Sequence, residues 1–133
     1  MNILIVDDDL LCQKLLCNIL SPYGECLIAS DGRDAVSAFE DALDDDNPYD
    51  LICLDIMMPN LDGQRALQRI RNIEKKRGIE ESNRVKVIMV TVLKDKKDME
   101  QAYQSGCEGY ITKPITKVKV VTELEKLALL TPA

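Results

Sequence analysis

The chain has 133 residues, of which 46% are hydrophobic and 30% charged, a size and composition typical of one globular domain. Its net charge of −6 argues against a nucleic-acid-binding surface, and the absence of histidine excludes serine–histidine and cysteine–histidine catalysis as well as histidine metal ligands. Because it shows neither a membrane-spanning apolar stretch nor a signal-peptide pattern, we expect a cytoplasmic protein whose five cysteines stay reduced.

Strand-like and helix-like segments alternate along the whole chain, a pattern that predicts a parallel α/β sheet in a single domain over residues 1–133. The predicted strands are Asn2–Asp7, Glu25–Ala29, Leu51–Asp55, Val85–Val90 and Glu108–Thr112. Helices are predicted at about 10–20, after Gly32, at about 62–76, at about 96–105 and after Pro114. In the last helix the apolar residues expected to face inward are Val118, Val121, Leu124, Leu127 and Leu130.

Three consecutive aspartates, Asp7, Asp8 and Asp9, directly follow the first strand. Two unit charges about 4 Å apart repel by roughly 4 kcal/mol at an effective dielectric near 20, so this crowding predicts a bound cation. Asp9 stands just before the first helix and is better explained as its N-cap. A second acidic run at 44–46 follows a helix and precedes a proline, which indicates a solvated loop instead.

Other strands also end in residues that carry chemistry: Asp55 after the third, Thr91 after the fourth and Lys113 after the fifth. In a doubly wound parallel sheet of order 2-1-3-4-5 the first and third strands are neighbours, so Asp7, Asp8 and Asp55 should converge. Three carboxylates without a nitrogen or sulfur ligand suit Mg²⁺. Asp55 can then act as a nucleophile toward phosphorus, with Lys113 and Thr91 stabilising the transferred phosphoryl group.

Four segments of the chain closely resemble the receiver domain of two-component response regulators, of the chemotaxis type. They are ILIVDDD at 3–9, DLICLDIMMPNLDG at 50–63, VIMVTVLKD at 87–95 and GYITKPI at 109–115. The resemblance implies a (βα)5 flavodoxin-like fold, with Asp55 as the phosphoacceptor and Asp7 and Asp8 as the acidic pair at Mg²⁺. It further implies that the backbone carbonyl of Met57 is a metal ligand.

The same resemblance implies how the domain would switch. Thr91 and Tyr110 match the hydroxyl and the aromatic side chain that reorient on activation, and Lys113 matches the lysine that pairs with the phosphate, followed by a cis bond to Pro114. Val92 stands where alanine is common, which would tighten the space for Tyr110. Met57 and Leu93 place apolar side chains where attacking water would be oriented, so we expect slow loss of phosphate.

The implied partners are a sensor histidine kinase or histidine phosphotransfer protein and a downstream effector, with no direct contact to nucleic acid or membrane. A homodimer through the last helix, the fifth strand and the preceding helix is a further expectation. The chain would be a phosphoacceptor switch rather than an enzyme, catalysing only its own phosphorylation and slow dephosphorylation.

Two other classes of protein also use this type of sheet. A small phosphohydrolase of the haloacid dehalogenase type needs a second aspartate two residues after its nucleophile, where this chain has Met57. A flavodoxin-like nucleotide or flavin binder wants Ser, Thr or Gly after the first strand, whereas the aspartates from Asp7 onward would repel a phosphate. Both alternatives are therefore disfavoured.

Overall fold

The computed structural model describes residues 1–130, so the end of the predicted domain at Ala133 lies outside the described residues. The described chain forms one five-stranded parallel sheet in the order β2-β1-β3-β4-β5, which confirms the predicted fold and topology. The strands are β1 Asn2–Val6, β2 Glu25–Ala29, β3 Leu51–Leu54, β4 Lys86–Thr91 and β5 Gly109–Thr112. Asp7 and Asp55 therefore come directly after their strands instead of being the last strand residues.

Helices cover both faces of the sheet, because successive side chains of each buried strand point to opposite sides. The helices are α1 Leu10–Leu20, α2 Gly32–Asp44, α3 Gly63–Lys76, α4 Lys96–Ser105 and α5 Lys117–Lys126. One core packs α2, α3 and α4 against one face, and a second core packs α1 and α5 against the other. None of the helices formed by residues 1–130 is both long and apolar enough to cross a bilayer.

Side-chain caps fix where several of these helices begin. The Asp9 carboxylate accepts a hydrogen bond from the Leu11 backbone N–H, which confirms Asp9 as the N-cap of α1. Asp62 caps α3 in the same way by accepting from the Arg65 N–H. A carboxylate at a helix N-terminus also interacts favourably with the helix dipole. The third aspartate of the opening run thus has a structural role that separates it from the other two.

The predicted inward face of α5 is wrong in part. Val118 is 76% exposed, and the buried positions are Val120 and Leu124. The helix ends at Lys126, so the predicted positions Leu127 and Leu130 lie beyond it, although both pack partly against the core. Valines at neighbouring positions offer alternative apolar stripes, and only packing against the sheet selects one of them.

A group of partly buried charges joins the ends of several elements at the edge of the sheet where the strands begin. We call Arg71, Glu74, Arg84 and Glu108 the amino-edge cluster. Arg71 Nη1 lies 2.6 Å from Glu74 Oε1, and Arg71 Nη2 lies 2.8 Å from Glu108 Oε1. Arg84 Nη2 is 3.0 Å from Glu108 Oε2. The cluster ties α3 to the segments that lead into β4 and β5, far from the edge where the strands end.

Candidate functional site

The opposite edge of the sheet carries a second charged group, Asp7, Asp8, Asp55 and Lys113, which we call the carboxyl-edge cluster. The register of β1 against β3 pairs Val6 with Leu54, so Asp7 and Asp55 emerge side by side. The Asp55 N–H continues this ladder by donating to Val6 O at 3.0 Å. One carboxylate oxygen from each of the three aspartates lies within 4.8 Å of the others, so the predicted convergence of these side chains is present.

Lys113 provides the positive charge of this cluster. Its Nζ donates a hydrogen bond to Asp55 Oδ2 at 3.2 Å and lies 2.9 Å from Asp7 Oδ2. The second contact is an ion pair with a carboxylate that is almost fully buried. A buried carboxylate is costly unless a cation or a donor reaches it, and the Lys113 ammonium does so for Asp7.

Burial and neighbouring charges shift the proton affinities of the two reacting groups. Burial raises the pKa of Asp55; the ammonium of Lys113 opposes this shift and the charge of Asp7 adds to it. Burial alone would lower the pKa of Lys113, but the hydrogen bonds and charges of Asp7 and Asp55 outweigh it and raise that pKa. Lys113 therefore stays a cation beside a carboxylate that is more basic than an ordinary aspartate.

The donor atoms of the cluster fit Mg²⁺. All are oxygens, which is the ligand type that hard divalent cations prefer, and the side chain of Asp8 is exposed, leaving one side open to water. Lys113 is the one cation among the described residues that reaches these carboxylates, so three acidic side chains share a single positive charge, and a divalent cation would balance the rest. The residues present thus fit a magnesium ion.

Met57 lies in the loop that follows β3, where its N–H donates to Asp55 Oδ1 at 3.2 Å. Its side chain is 56% exposed. A groove of about 620 Å³ opens beside it, bordered by Asp8 and by residues of α3 and α4. The cluster is therefore accessible from solvent on the side where the strands end.

Thr91 and Tyr110, the two predicted switch residues, are both buried. Thr91 is the last residue of β4, and its Oγ1 accepts a hydrogen bond from the Leu93 N–H at 3.3 Å. Tyr110 is only 8% exposed, and its hydroxyl donates to Leu93 O at 2.9 Å. Burial, followed by the charges of Asp98 and other acidic groups, raises the pKa of Tyr110 to about 12. The described conformation thus has Tyr110 turned inward, and the bond from Lys113 to Pro114 is cis as expected.

Two residues that shape the site were not found from the sequence. Gln13 is buried in α1, and its Nε2 donates to Asp7 O at 2.6 Å, which holds the backbone just after β1. Gly63 begins α3 so close to the β3 loop that a side-chain Cβ would overlap the carbonyl oxygen of Asp55. The sequence did contain a signal for Gly63, because a glycine that directly follows a helix-capping aspartate indicates a close approach of the backbone. It contained no signal for Gln13, which is an ordinary residue in a helix.

Comparison with protein-family models matches residues 3–125 to the response regulator receiver domain. Among curated relatives, "Probable histidine kinase 2" of Oryza sativa subsp. indica is 33% identical over 131 residues, covering 91% of this chain and 12% of that protein. "Hybrid signal transduction histidine kinase I" of Dictyostelium discoideum is 35% identical over 115 residues, covering 86% and 6%. The chain thus spans only a small part of these relatives.

Solved structures give the same result for the fold. A chain in the crystal structure of the CheX–CheY–BeF₃–Mg complex from Borrelia burgdorferi has a TM-score of 0.83 and 28% identity, covering 96% of this chain and 89% of that one. A CheY-like receiver domain protein from Methanospirillum hungatei JF-1 has a TM-score of 0.75 and 25% identity, covering 95% and 91%.

Proposed function

Since this chain belongs to the response regulator receiver domain family, we propose that Asp55 accepts the phosphoryl group that such domains receive in two-component signalling. Phosphoacceptor function follows from membership of the family; the assignment to Asp55 is our proposal. It rests on one observation above all: Asp55 Oδ2 lies 3.2 Å from the Lys113 ammonium, and one carboxylate oxygen of Asp55 lies within 4.8 Å of oxygens from Asp7 and Asp8.

In the proposed reaction an Asp55 carboxylate oxygen attacks the phosphorus of a phosphohistidine on a partner protein. The bond from phosphorus to oxygen forms as the bond from phosphorus to the imidazole nitrogen breaks, and the electron pair leaves with that nitrogen. Lys113, held charged by its neighbours, stabilises the negative phosphoryl oxygens, and the Thr91 hydroxyl can donate to one of them.

Asp7, Asp8 and Asp55, together with the Met57 carbonyl, are the groups that would hold Mg²⁺. When bound, the ion neutralises charge on the phosphoryl oxygens. The side chains themselves already orient the site, because the Met57 N–H fixes one oxygen of Asp55 and Lys113 fixes the other. Asp55 can therefore present one defined face to an incoming phosphoryl group.

The receiver fold is that of a signalling switch, and we propose that Thr91 and Tyr110 carry the signal away from Asp55. Phosphorylation adds roughly −1.5 to −2 charge and attracts the Thr91 hydroxyl, which now accepts from Leu93 N–H. Tyr110 bonds to the carbonyl of the same residue, so a shift of that segment alters its packing. The changed surface would comprise α4, β5 and α5, the face also proposed for an effector or a homodimer.

We infer that the phosphodonor partner is a sensor histidine kinase or a histidine phosphotransfer protein. The domain would catalyse only its own phosphorylation and slow dephosphorylation, since neither Met57 nor Leu93 can orient water with its side chain. The phosphohydrolase alternative is not favoured: Met57 stands where that chemistry needs an acid/base carboxylate.

Phosphorylation by acetyl phosphate in the presence of Mg²⁺ tests the assignment directly. We expect intact-mass spectrometry to detect one added phosphoryl group on the unmodified chain and none on Asp55→Asn. Asp46→Asn makes the same chemical change in the second acidic run, at a position whose left-handed backbone suits asparagine, and should be labelled normally. Retained labelling of a folded Asp55→Asn would show that another residue is the phosphoacceptor.

A further inference from the structure

The edge strand β2 exposes apolar side chains that the phosphoryl site does not use. Leu27 is 59% exposed and Ile28 is 47% exposed. Because consecutive residues of a strand point to opposite faces, β2 presents apolar surface on both sides of the edge of the sheet. Side chains of this kind on an unpaired edge mark a place where another chain can pair.

The backbone of β2 is also open along this edge. The Glu25 N–H donates to Met1 O at 3.0 Å, and Ala29 O accepts from the Asp7 N–H at 3.2 Å, so these two residues direct their polar groups toward β1. By alternation, the N–H and C=O groups of Cys26 and Ile28 point the other way. In the sheet formed by residues 1–130, β2 pairs with β1 alone, which leaves those groups available to an added strand.

Strand β2 lacks most of the features that prevent an edge strand from pairing with another chain. Its five residues, Glu25–Ala29, include no lysine and no proline, and its register with β1 runs without a bulge. Proteins commonly protect open edges with those features. Only the shortness of the strand and the charge of Glu25 limit what can bind there.

An acidic groove lies beside the strand and indicates what kind of segment would fit. A cavity of about 310 Å³ between β2 and α2 has Leu27 and Ala42 among its apolar residues. Glu25, Asp41 and Asp45 also line it, and no lysine or arginine does. None of these three acids forms an ion pair within the described part of the chain. The groove thus has apolar residues at its base and unpaired negative charges at its rim. It should therefore bind a segment that has both apolar and positively charged side chains.

We propose that β2 docks a basic extended segment of a partner protein, which adds to the sheet as a further strand and places Lys or Arg side chains over the acidic groove. Main-chain hydrogen bonds to Cys26 and Ile28 provide the attachment, and alternate side chains provide the selectivity. A second copy of this chain is a poorer occupant because its own β2 would bring the same acids to the groove. The contact is small compared with the roughly 800 Å² per partner of a stable complex, so binding is weak and salt-dependent.

Titration of the ¹⁵N-labelled chain with a capped peptide of alternating Lys and Val tests the proposal. We expect the amide resonances of Cys26 and Ile28 to shift and their hydrogen exchange to slow. A peptide of the same length that alternates Glu and Val should leave these resonances unchanged. Failure of the Lys/Val peptide to affect them, or equal effects of both peptides, would overturn the proposal.

Three variants separate pairing at the edge from nonspecific attraction between opposite charges. Ile28→Pro removes an outward N–H without breaking the ladder to β1, and Leu27→Lys adds a like charge at an exposed site; both should abolish binding. Asp41→Lys should raise the dissociation constant about fivefold, whereas Glu80→Lys, the same change at an exposed acid outside the groove, should not. Circular dichroism confirms that each variant is folded.

Two results would contradict the mechanism even if the peptide binds. One is binding that survives both Ile28→Pro and Leu27→Lys, which would place the peptide elsewhere. The other is concentration-dependent dimerisation of the chain that Leu27→Lys abolishes, which would make a second copy the occupant.

Discussion

The two charged clusters of this domain lie at opposite edges of one sheet and differ in how their charges are paired. The amino-edge cluster sets two arginines against two glutamates, whereas the carboxyl-edge cluster sets three aspartates against Lys113 alone. Both contain side chains that are largely removed from water. The two clusters therefore differ in the balance of positive and negative charges and not in how far they are buried.

At the amino edge, hydrogen bonds satisfy the guanidinium of Arg71 from several directions. It donates to Gly106 O at 2.9 and 3.0 Å, to Val85 O at 2.9 Å and to both glutamates. Glu74 and Glu108 also accept backbone N–H groups at the start of β4, each at 2.8 Å. A network that is balanced and fully bonded has no remaining affinity for a further charge.

At the carboxyl edge, three carboxylates share the single positive charge of Lys113, and this excess of negative charge leaves such an affinity. The comparison indicates that buried charge becomes a binding site only where its own partners are too few. Stability and function are then assigned to opposite ends of the same strands, which is a common arrangement in parallel sheets. The following experiments test that division.

The largest effect is expected from Arg71→Met. Removing the guanidinium leaves Glu74 buried without a counter-charge, so the free energy of unfolding should fall by about 3–5 kcal/mol in urea titrations followed by circular dichroism. Arg69→Met changes an exposed arginine on the same helix and should alter it by less than about 0.5 kcal/mol. Equal effects of the two substitutions would mean that the amino-edge cluster does not stabilise the fold.

Addition of Mg²⁺ should have the next largest effect. At roughly 100 times its dissociation constant, the ion should raise the free energy of unfolding by about 2.7 kcal/mol, because it binds only the folded cluster. Arg71→Met should show the same increment, since the ion interacts with the other edge of the sheet. Loss of the increment in Arg71→Met would contradict the independence of the two clusters.

The smallest effect is expected from Asp8→Asn, and its sign is the informative part. Without Mg²⁺ this substitution removes repulsion between carboxylates and should raise the free energy of unfolding by up to about 1 kcal/mol, less at high salt. Glu108→Gln, a similar neutralisation at the amino edge, should lower it instead, because its carboxylate pairs with two arginines. If Asp8→Asn is destabilising, the excess negative charge of the site has been overestimated.

The sequence was sufficient to predict much of the candidate site. Asp7, Asp55, Thr91 and Lys113 each stand where a buried strand ends, and a parallel sheet necessarily brings such ends to one edge. Right-handed connections restrict the possible strand orders, and the known doubly wound order 2-1-3-4-5 places β1 beside β3. For these residues, the local hydrophobic pattern and the sheet topology were enough to predict that the side chains lie close together, without any measured distance.

The amino-edge cluster could not be predicted in the same way. Arg71 and Glu108 are 37 positions apart, and in the sequence each appears as an ordinary charged residue on a surface. Pairing between them depends on how α3 sits against the beginnings of β4 and β5. Hydrophobic periodicity cannot predict that these two side chains meet, because they do not belong to the same helix or strand.

By itself, the sequence determined the order of elements, the topology of the sheet and the positions of the acids at the ends of its strands, because hydrophobic periodicity and strand ends are local properties. Only the tertiary structure decided that Lys113 reaches both Asp7 and Asp55, that Val120 instead of Val118 is buried and that Leu27 and Ile28 on β2 are exposed. Those outcomes depend on packing between distant segments, where several arrangements satisfy the same local pattern and differences in contact energy select one.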